Sequence, residues 1–383
     1  MNPFDEEDAG DELRSLMLAV DVPPPGADVQ RAITTGRRAR VRTAVTGGAT
    51  ALVVLAAVGT FVAFGPMRAG PSGSAAPAAP PAPRLACAPA ELPKPAGSAD
   101  GTVTSMDPSG RIVGGYVNER QPTPVVWRDG RPEVVPGVTG EVTGVTSDGT
   151  VIGFELVDGH NTIGWIVRNG HASNLALPAG YQYASPIAVN EHGAVVGGVG
   201  TAEPNSSVPA IWSADGTVHL LTVPAGVGDR DLSSAAGDIG DDGTVVGDVH
   251  GQAIAWAPDG TPTVLPRLPN AANGDAMGIA GHYVYGSSGH DAVRWDLQSG
   301  RVVRIPTQVD SGARAGTASG DALINGFGVG RTLLQPADGH AVQLLGPSGG
   351  ELTGAVAISA DGSTVAGTFV VGDVNHPVVW HCG

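Results

Sequence analysis

The sequence predicts an all-β protein, a seven-bladed β-propeller held behind one N-terminal transmembrane helix. Three observations point there. Of 383 residues, 58 are Gly and 31 are Pro while aromatics make up only 4%, a balance that suits short strands and many turns rather than long helices. A short apolar-Gly pattern recurs at intervals of about forty residues from Ile112 to Val365. Ahead of it, Ala44 to Phe64 is an uncharged apolar run.

The N-terminal elements come first. In "DELRSLMLAV" the residues Leu13, Leu16, Met17 and Val20 fall at i, i+3, i+4 and i+7, the stripe of an amphipathic helix, which Pro23 to Pro25 end. Asp5, Glu6, Glu7, Asp8, Asp11 and Glu12 crowd its start, where the helix dipole favours negative charge. The run Ala44 to Phe64 reaches roughly 31 Å as a helix, enough to cross a bilayer core. Arg31, Arg37, Arg38, Arg40 and Arg42 stand before it and only Arg68 follows closely, so the tail (1–43) is expected to stay cytoplasmic and the rest to be exported. A cleaved signal peptide is the competing reading, because small residues follow the run, but an n-region of forty-odd residues is too long for the usual pattern. Residues 65–86 form a Pro/Ala-rich spacer. Lipidation of Cys87 is excluded by Arg84, which stands where a lipobox needs an aliphatic residue. The layout of acidic helix, "DVPPPGADVQRAI", arginine cluster and span resembles the N-termini of single-pass actinobacterial proteins, some of them anti-sigma factors. That resemblance implies a cytoplasmic regulator as partner of residues 1–43. The His and paired Cys of zinc-type anti-sigma factors are missing, since residues 1–86 contain neither.

From Cys87 onward the chain repeats. The apolar-Gly pattern reads "IVGG" at Ile112, "VIGF" at Val151, "VVGG" at Val195, "VVGD" at Val245, "VYGS" at Val284, "INGF" at Ile324 and "VAGT" at Val365. An aromatic anchor follows in each copy but one: Trp127, Trp165, Trp212, Trp256, Trp295 and Trp380, with Gln335 in the sixth slot. These are all six tryptophans of the chain. Gly turns flank the segments, as in "SDGTVIG" and "ADGTVHLL", so each unit reads as four short strands. A four-stranded unit of this period cannot bury both faces alone and must pack between neighbours in a ring. Copies five and six are degraded, which leaves six or eight blades open beside seven.

The repeat resembles the HAF-type extracytoplasmic repeat, with "AVNEHGAVVGGVGTAEPNSSVPAIWSADGTVHLL" (Ala188 to Leu221) as its best copy. The last copy holds three strands, over Ala355 to Ile358, Ser363 to Phe369 and Pro377 to Trp380, and no fourth segment follows within the three residues after Trp380. The missing outer strand is expected from "CAPAELPKPAG", which has the form of "GRPEVVPG". Closure by that segment brings Cys87 and Cys382 onto adjacent strands, in reach of a disulfide, as expected of paired cysteines in an oxidising compartment.

The formal charge of -16, with only 21 Lys and Arg, excludes a nucleic-acid partner. "GPSGG" (Gly346 to Gly350) matches G-x-S-x-G literally but lacks the strand-to-helix elbow. The ten histidines show no metal-ligand spacing, and "GDIGDDGTVVGD", with Asp238, Asp241, Asp242 and Asp248, departs from EF-hand spacing. No cofactor is implied. The loops that vary in length carry the candidate binding residues Asp158, His160, Glu203, Asn205, Asp229, Arg230, Asp231, Asp373 and His376. The expectation is a non-catalytic, membrane-tethered extracytoplasmic module that binds a protein or glycan. A propeller-type lyase or hydrolase is the alternative, and it requires polar side chains converging on the ring axis.

Overall fold

The computed structural model describes residues 85–157, 161–201, 206–224, 227, 235–327, 330–349 and 352–383. The expected cytoplasmic helix, the span and most of the spacer lie outside them. Seven four-stranded antiparallel sheets, one per repeat, make up the fold, and consecutive sheets pack against one another. The degraded fifth and sixth copies are both full blades, so the count is seven.

The innermost strands, a, are Gly101–Met106, Glu141–Val145, Tyr183–Val189, Ala235–Ile239, Gly274–Ala280, Ser311–Gly316 and Leu352–Ile358. Strands b are Ile112–Val117, Val151–Val157, Val195–Gly200, Val245–Val249, Tyr283–Ser288, Ala322–Gly326 and Thr364–Val371. Strands c are Thr123–Arg128, Asn161–Arg168, Val208–Trp212, Gln252–Trp256, Asp291–Asp296, Thr332–Gln335 and Val374–Cys382. The outer strands, d, are Arg131–Val134, His171–Asn174, Val218–Leu220, Pro262–Val264, Arg301–Arg304, Val342–Leu344 and, for blade seven, Cys87–Glu91.

The N-terminal segment therefore closes the ring as the repeat demands. Its register runs from Cys87↔Cys382 to Glu91↔Val378, and a disulfide joins the two cysteines. Leu85 and Ala86 extend the seam, the latter through reciprocal backbone bonds with Gly383. The residue after the strand completes the likeness to an ordinary d strand: Leu92 N–H donates to Pro377 O at 2.8 Å, as Val135 N–H does to Pro124 O and Leu221 N–H to Pro209 O at 2.9 Å. All three side chains are buried.

The tryptophans explain why blades hold together. Each is buried on strand c and donates its indole N–H to a carbonyl just beyond strand d of the preceding blade: Trp127 to Pro93, Trp165 to Thr139, Trp212 to Ala176, Trp256 to Thr222, Trp295 to Pro266 and Trp380 to Leu345, at 2.6–2.9 Å. Strand a carries a β-bulge at the same place in every blade, and in six blades a Gly of strand b stands opposite it. A Cβ at Gly286 would run into the Asp275 carbonyl oxygen and press on the Trp295 ring, so the Gly of the repeat leaves room for both bulge and indole.

Two copies shift relative to the sequence alignment. In blade one the bulge-facing glycine is Gly115, the second of "IVGG". In blade six the slot is held by Ile324 rather than Gly326, because the equivalent strand segment is Ala322-Leu323-Ile324. With no indole there, Ile324 is buried with the partly buried Leu333 packed against its cluster, while Gln335 turns its amide to the carbonyls of Pro336 and Gly339. A Gly-Trp pair has been exchanged for an Ile-Gln pair.

Candidate functional site

The two faces of the ring differ. On one, the turns between strands a and b are short and bonded around the circumference. Ser147 Oγ donates to Asp107 Oδ2 at 3.0 Å, Ser147 N–H to Glu191 Oε1 at 3.1 Å and Glu191 N–H to Asp241 Oδ1 at 3.0 Å, linking blades one to four, while Ala360 N–H donates to Pro108 O at 2.8 Å across the seam. Carboxylates on this face are spent on cohesion. Asp361 shows it locally: the hydroxyl of Ser359, then the N–H and hydroxyl of Ser363, lower its pKa to about 2.

The other face bears the b–c and d–a connections. Aliphatic and aromatic side chains stand out from it on blades two, six and seven: Leu156, Ile163, Phe327, Leu352, Val371 and Val374 are 37–50% exposed. Of the candidate residues, Asp158, His160, Glu203, Asn205, Asp229, Arg230 and Asp231 lie outside the described residues. Asp373 is exposed in the tight Gly372-Asp373 turn between strands b and c of blade seven. His376 lies in strand c, opposite Phe369, on which its ring stacks at 4.9 Å, because the hairpin is tight. Its Nδ1 lies 2.8 Å from Glu91 Oε1 and 3.5 Å from Lys94 Nζ, beside the seam.

The ring axis is the second feature. Strands a of all seven blades enclose a cavity of ≈ 180 Å³. Its walls are mostly small or aliphatic, with three exceptions in kind: Met106 and Met277, the hydroxyl residues Thr104, Ser105 and Thr143, and the charged pair Asp238 and Arg314. Asp238 is half-buried and bridges blades four and five, since Oδ1 accepts Ile239 N–H and Oδ2 accepts Ile279 N–H, both at 2.9 Å. Thr104 Oγ1 donates to Val142 O at 2.6 Å. The axis is thus more polar than Ser, Thr, Ala and Gly alone, and the four acids of "GDIGDDGTVVGD" are dispersed. Asp238 is axial, Asp241 faces Glu191, Asp242 caps Thr244 and Asp248 accepts Gly251 N–H at 2.7 Å. Among the described residues no three His, Cys, Asp or Glu side chains are grouped to hold a metal ion.

Burial pushes the Asp238 carboxyl up to about 6, against the Ile279 and Ile239 N–H groups and the Arg314 charge that pull it down. An unfolded carboxyl titrates near ~3.9, so the folded chain holds this proton more tightly. Ionised Asp238 therefore costs stability in full above its folded pKa, and the cost shrinks as pH falls below that value and is gone below the unfolded one. Relative to Asp238→Asn, the thermal midpoint of the wild type should rise as pH is lowered from about 7.5 to about 5. A pH-independent difference between the two would show that Asp238 keeps an ordinary pKa.

No protein-family model and no curated protein matches the sequence. Among solved structures the chain is similar to a streptogramin B lyase, at 15% identity over 78% of this chain and 98% of that one, TM-score 0.53. It is similar to the selenomethionine-substituted virginiamycin B lyase of Staphylococcus aureus at 16% identity, over 77% and 99%, TM-score 0.53. A third is the β-propeller domain of the trilobed protease of Pyrococcus furiosus, at 12% identity over 74% and 94%, TM-score 0.50, described as having an open velcro topology. At such identities the likeness is one of fold, and the fold is a β-propeller.

Proposed function

We propose that the protein is a membrane-tethered, extracytoplasmic, non-catalytic binding module whose loop face docks a partner protein. The asymmetry of the ring carries this reading: one face is tied down by turn-to-turn hydrogen bonds, and the other presents Leu156, Ile163, Phe327, Leu352, Val371 and Val374 to solvent. Exposed apolar groups at the strand ends that rim one face of a rigid scaffold are the usual makings of a protein interface. Five of those six side chains are aliphatic, which suits a protein surface better than a sugar ring.

A photo-crosslinking residue placed at Phe327 or Val371 in the full chain, expressed in its native envelope, should trap a protein. The same residue at Asp148, on the opposite face, should not. Combining Phe327→Ser with Val371→Asp should cut capture roughly tenfold or more while leaving the thermal midpoint within a degree or two. Equal trapping from both faces, or binding of the ring to glycans with no protein adduct, would overturn the protein-docking reading.

The tether belongs to the same proposal. Protease added to intact protoplasts should remove the chain beyond about residue 65 and leave the tail protected, as the arginine cluster before Ala44 requires. Loss of the tail with survival of the ring would reverse the orientation.

A further inference from the structure

The axial cavity holds one cation and one carboxylate among its described lining residues, Arg314 and Asp238, from blades six and four. Each comes from the bulged stretch of its strand a. The bulge falls between Ala313 and Ala315 in blade six and between Ala236 and Asp238 in blade four, so Arg314 is the residue released from pairing. Arg314 is half-buried, and among the described residues no carboxylate lies within 4.0 Å of it. Asp238 and Asp275 act on it only through the longer-range field. A guanidinium has five donors in a planar fork and cannot shed its charge. Held in a cavity without a paired acid, it is a receptor for an anionic group.

Asp238 has capacity left as well. Each of its oxygens accepts one N–H bond and keeps a further lone pair. Thr104, whose hydroxyl donates to Val142 O at 2.6 Å, adds a polar group to the wall on blade one. Met106, Met277 and Val356 supply apolar wall between the charged groups.

We propose that the axial cavity binds a small zwitterion of free-amino-acid or betaine size, with its anionic group on Arg314 and its cationic group on Asp238. Charge selects this class, and the volume accommodates it. The ≈ 180 Å³ volume corresponds to on the order of six water molecules of liquid and lies below the range of drug-sized sites. A simple anion would meet the field of a chain of net charge -16, and a simple cation would meet Arg314. A molecule bearing both charges avoids both penalties and meets a partner at each end. The site stands apart from the loop face, so it holds or falls independently of protein docking there.

Calorimetric titration of the full-length chain with glycine betaine, proline, valine and γ-aminobutyrate tests the proposal. At least one should bind saturably. Its carboxyl ester or, for the three probes with an N–H, its N-acyl derivative, each lacking one of the two charges, should bind roughly tenfold or more weakly. Arg314→Gln should weaken the zwitterion roughly 10- to 100-fold in a chain that still folds, and Arg314→Lys should restore part of the loss. The single-charge analogues decide the matter without any substitution if Arg314→Gln does not fold. Absence of saturable binding by all four probes, equal binding of acetate and of the zwitterion, or an affinity indifferent to Arg314→Gln would each overturn the assignment.

Discussion

Deleting residues 84–95 is expected to destabilise the ring far more than Cys87→Ser, and to make it aggregate. The two changes share the loss of the disulfide. That bond closes a loop of sequence separation 295, for which the chain-entropy model gives about 5 to 6 kcal/mol as an upper limit, with about 2 to 4 kcal/mol more usual in practice. Cys87→Ser keeps the outer strand, its register against Val374–Cys382 and the buried Leu92. The deletion removes these together with the Pro93 carbonyl that accepts the Trp127 indole N–H at 2.6 Å and the Glu91 partner of His376. It also bares the strand edge at Val378, Val379 and Trp380, all buried in the intact ring, and an exposed apolar edge is a template for pairing with another chain. Denaturant midpoints with light scattering, with and without reductant, distinguish the two. Equal midpoints for the deletion and Cys87→Ser would mean that the thiol bond alone closes the ring.

How much of this was legible in the sequence depends on what repeats. Period, blade makeup, Trp anchors and seam were readable because every blade must satisfy the same inter-blade contact, so the same residue types return at the same spacing. The blade count stayed open in the sequence because copies five and six are degraded, and the seven sheets of the structure fix it. What departs from the repeat was harder to see. Asp238 and Arg314 stand in "SSAAGDIG" and "RAGTASGD", segments that read as mostly small residues with little chemistry. The signal was there: one charge in each of two otherwise small-residue inner strands. Its direction was hidden by the bulge, which breaks the period-two alternation that tells axis from interface. His376 falls in a strand rather than a loop because Gly372-Asp373 makes a two-residue turn, a cue the sequence carried but the longer b–c loops of other blades obscured. In blade six the Ile324–Gln335 exchange removed both letters by which the repeat is recognised.

Trp256→Ala is expected to cost about 3 to 5 kcal/mol through the cavity it leaves, with about 1 kcal/mol more for the indole hydrogen bond. The side chain is fully buried among Val196, Leu221, Ala236, Val245 and Ile254, in a cluster contributed by blades three and four, and its N–H donates to Thr222 O at 2.8 Å. The loss thus falls on the contact between blades rather than within one. Trp256→Phe separates the two contributions, because a phenyl ring refills most of the volume and cannot donate. It should cost less than half as much as the alanine change. Gln335→Leu offers the contrasting case, since Gln335 makes only local turn bonds and blade six already lacks the indole contact; its effect should stay within about 1 kcal/mol. Chemical-denaturation midpoints of the three variants, with slopes unchanged from wild type, measure these differences. If Trp256→Ala proved no worse than Gln335→Leu, the indole would not be the element that binds neighbouring blades, and the repeat of six tryptophans would need another physical cause.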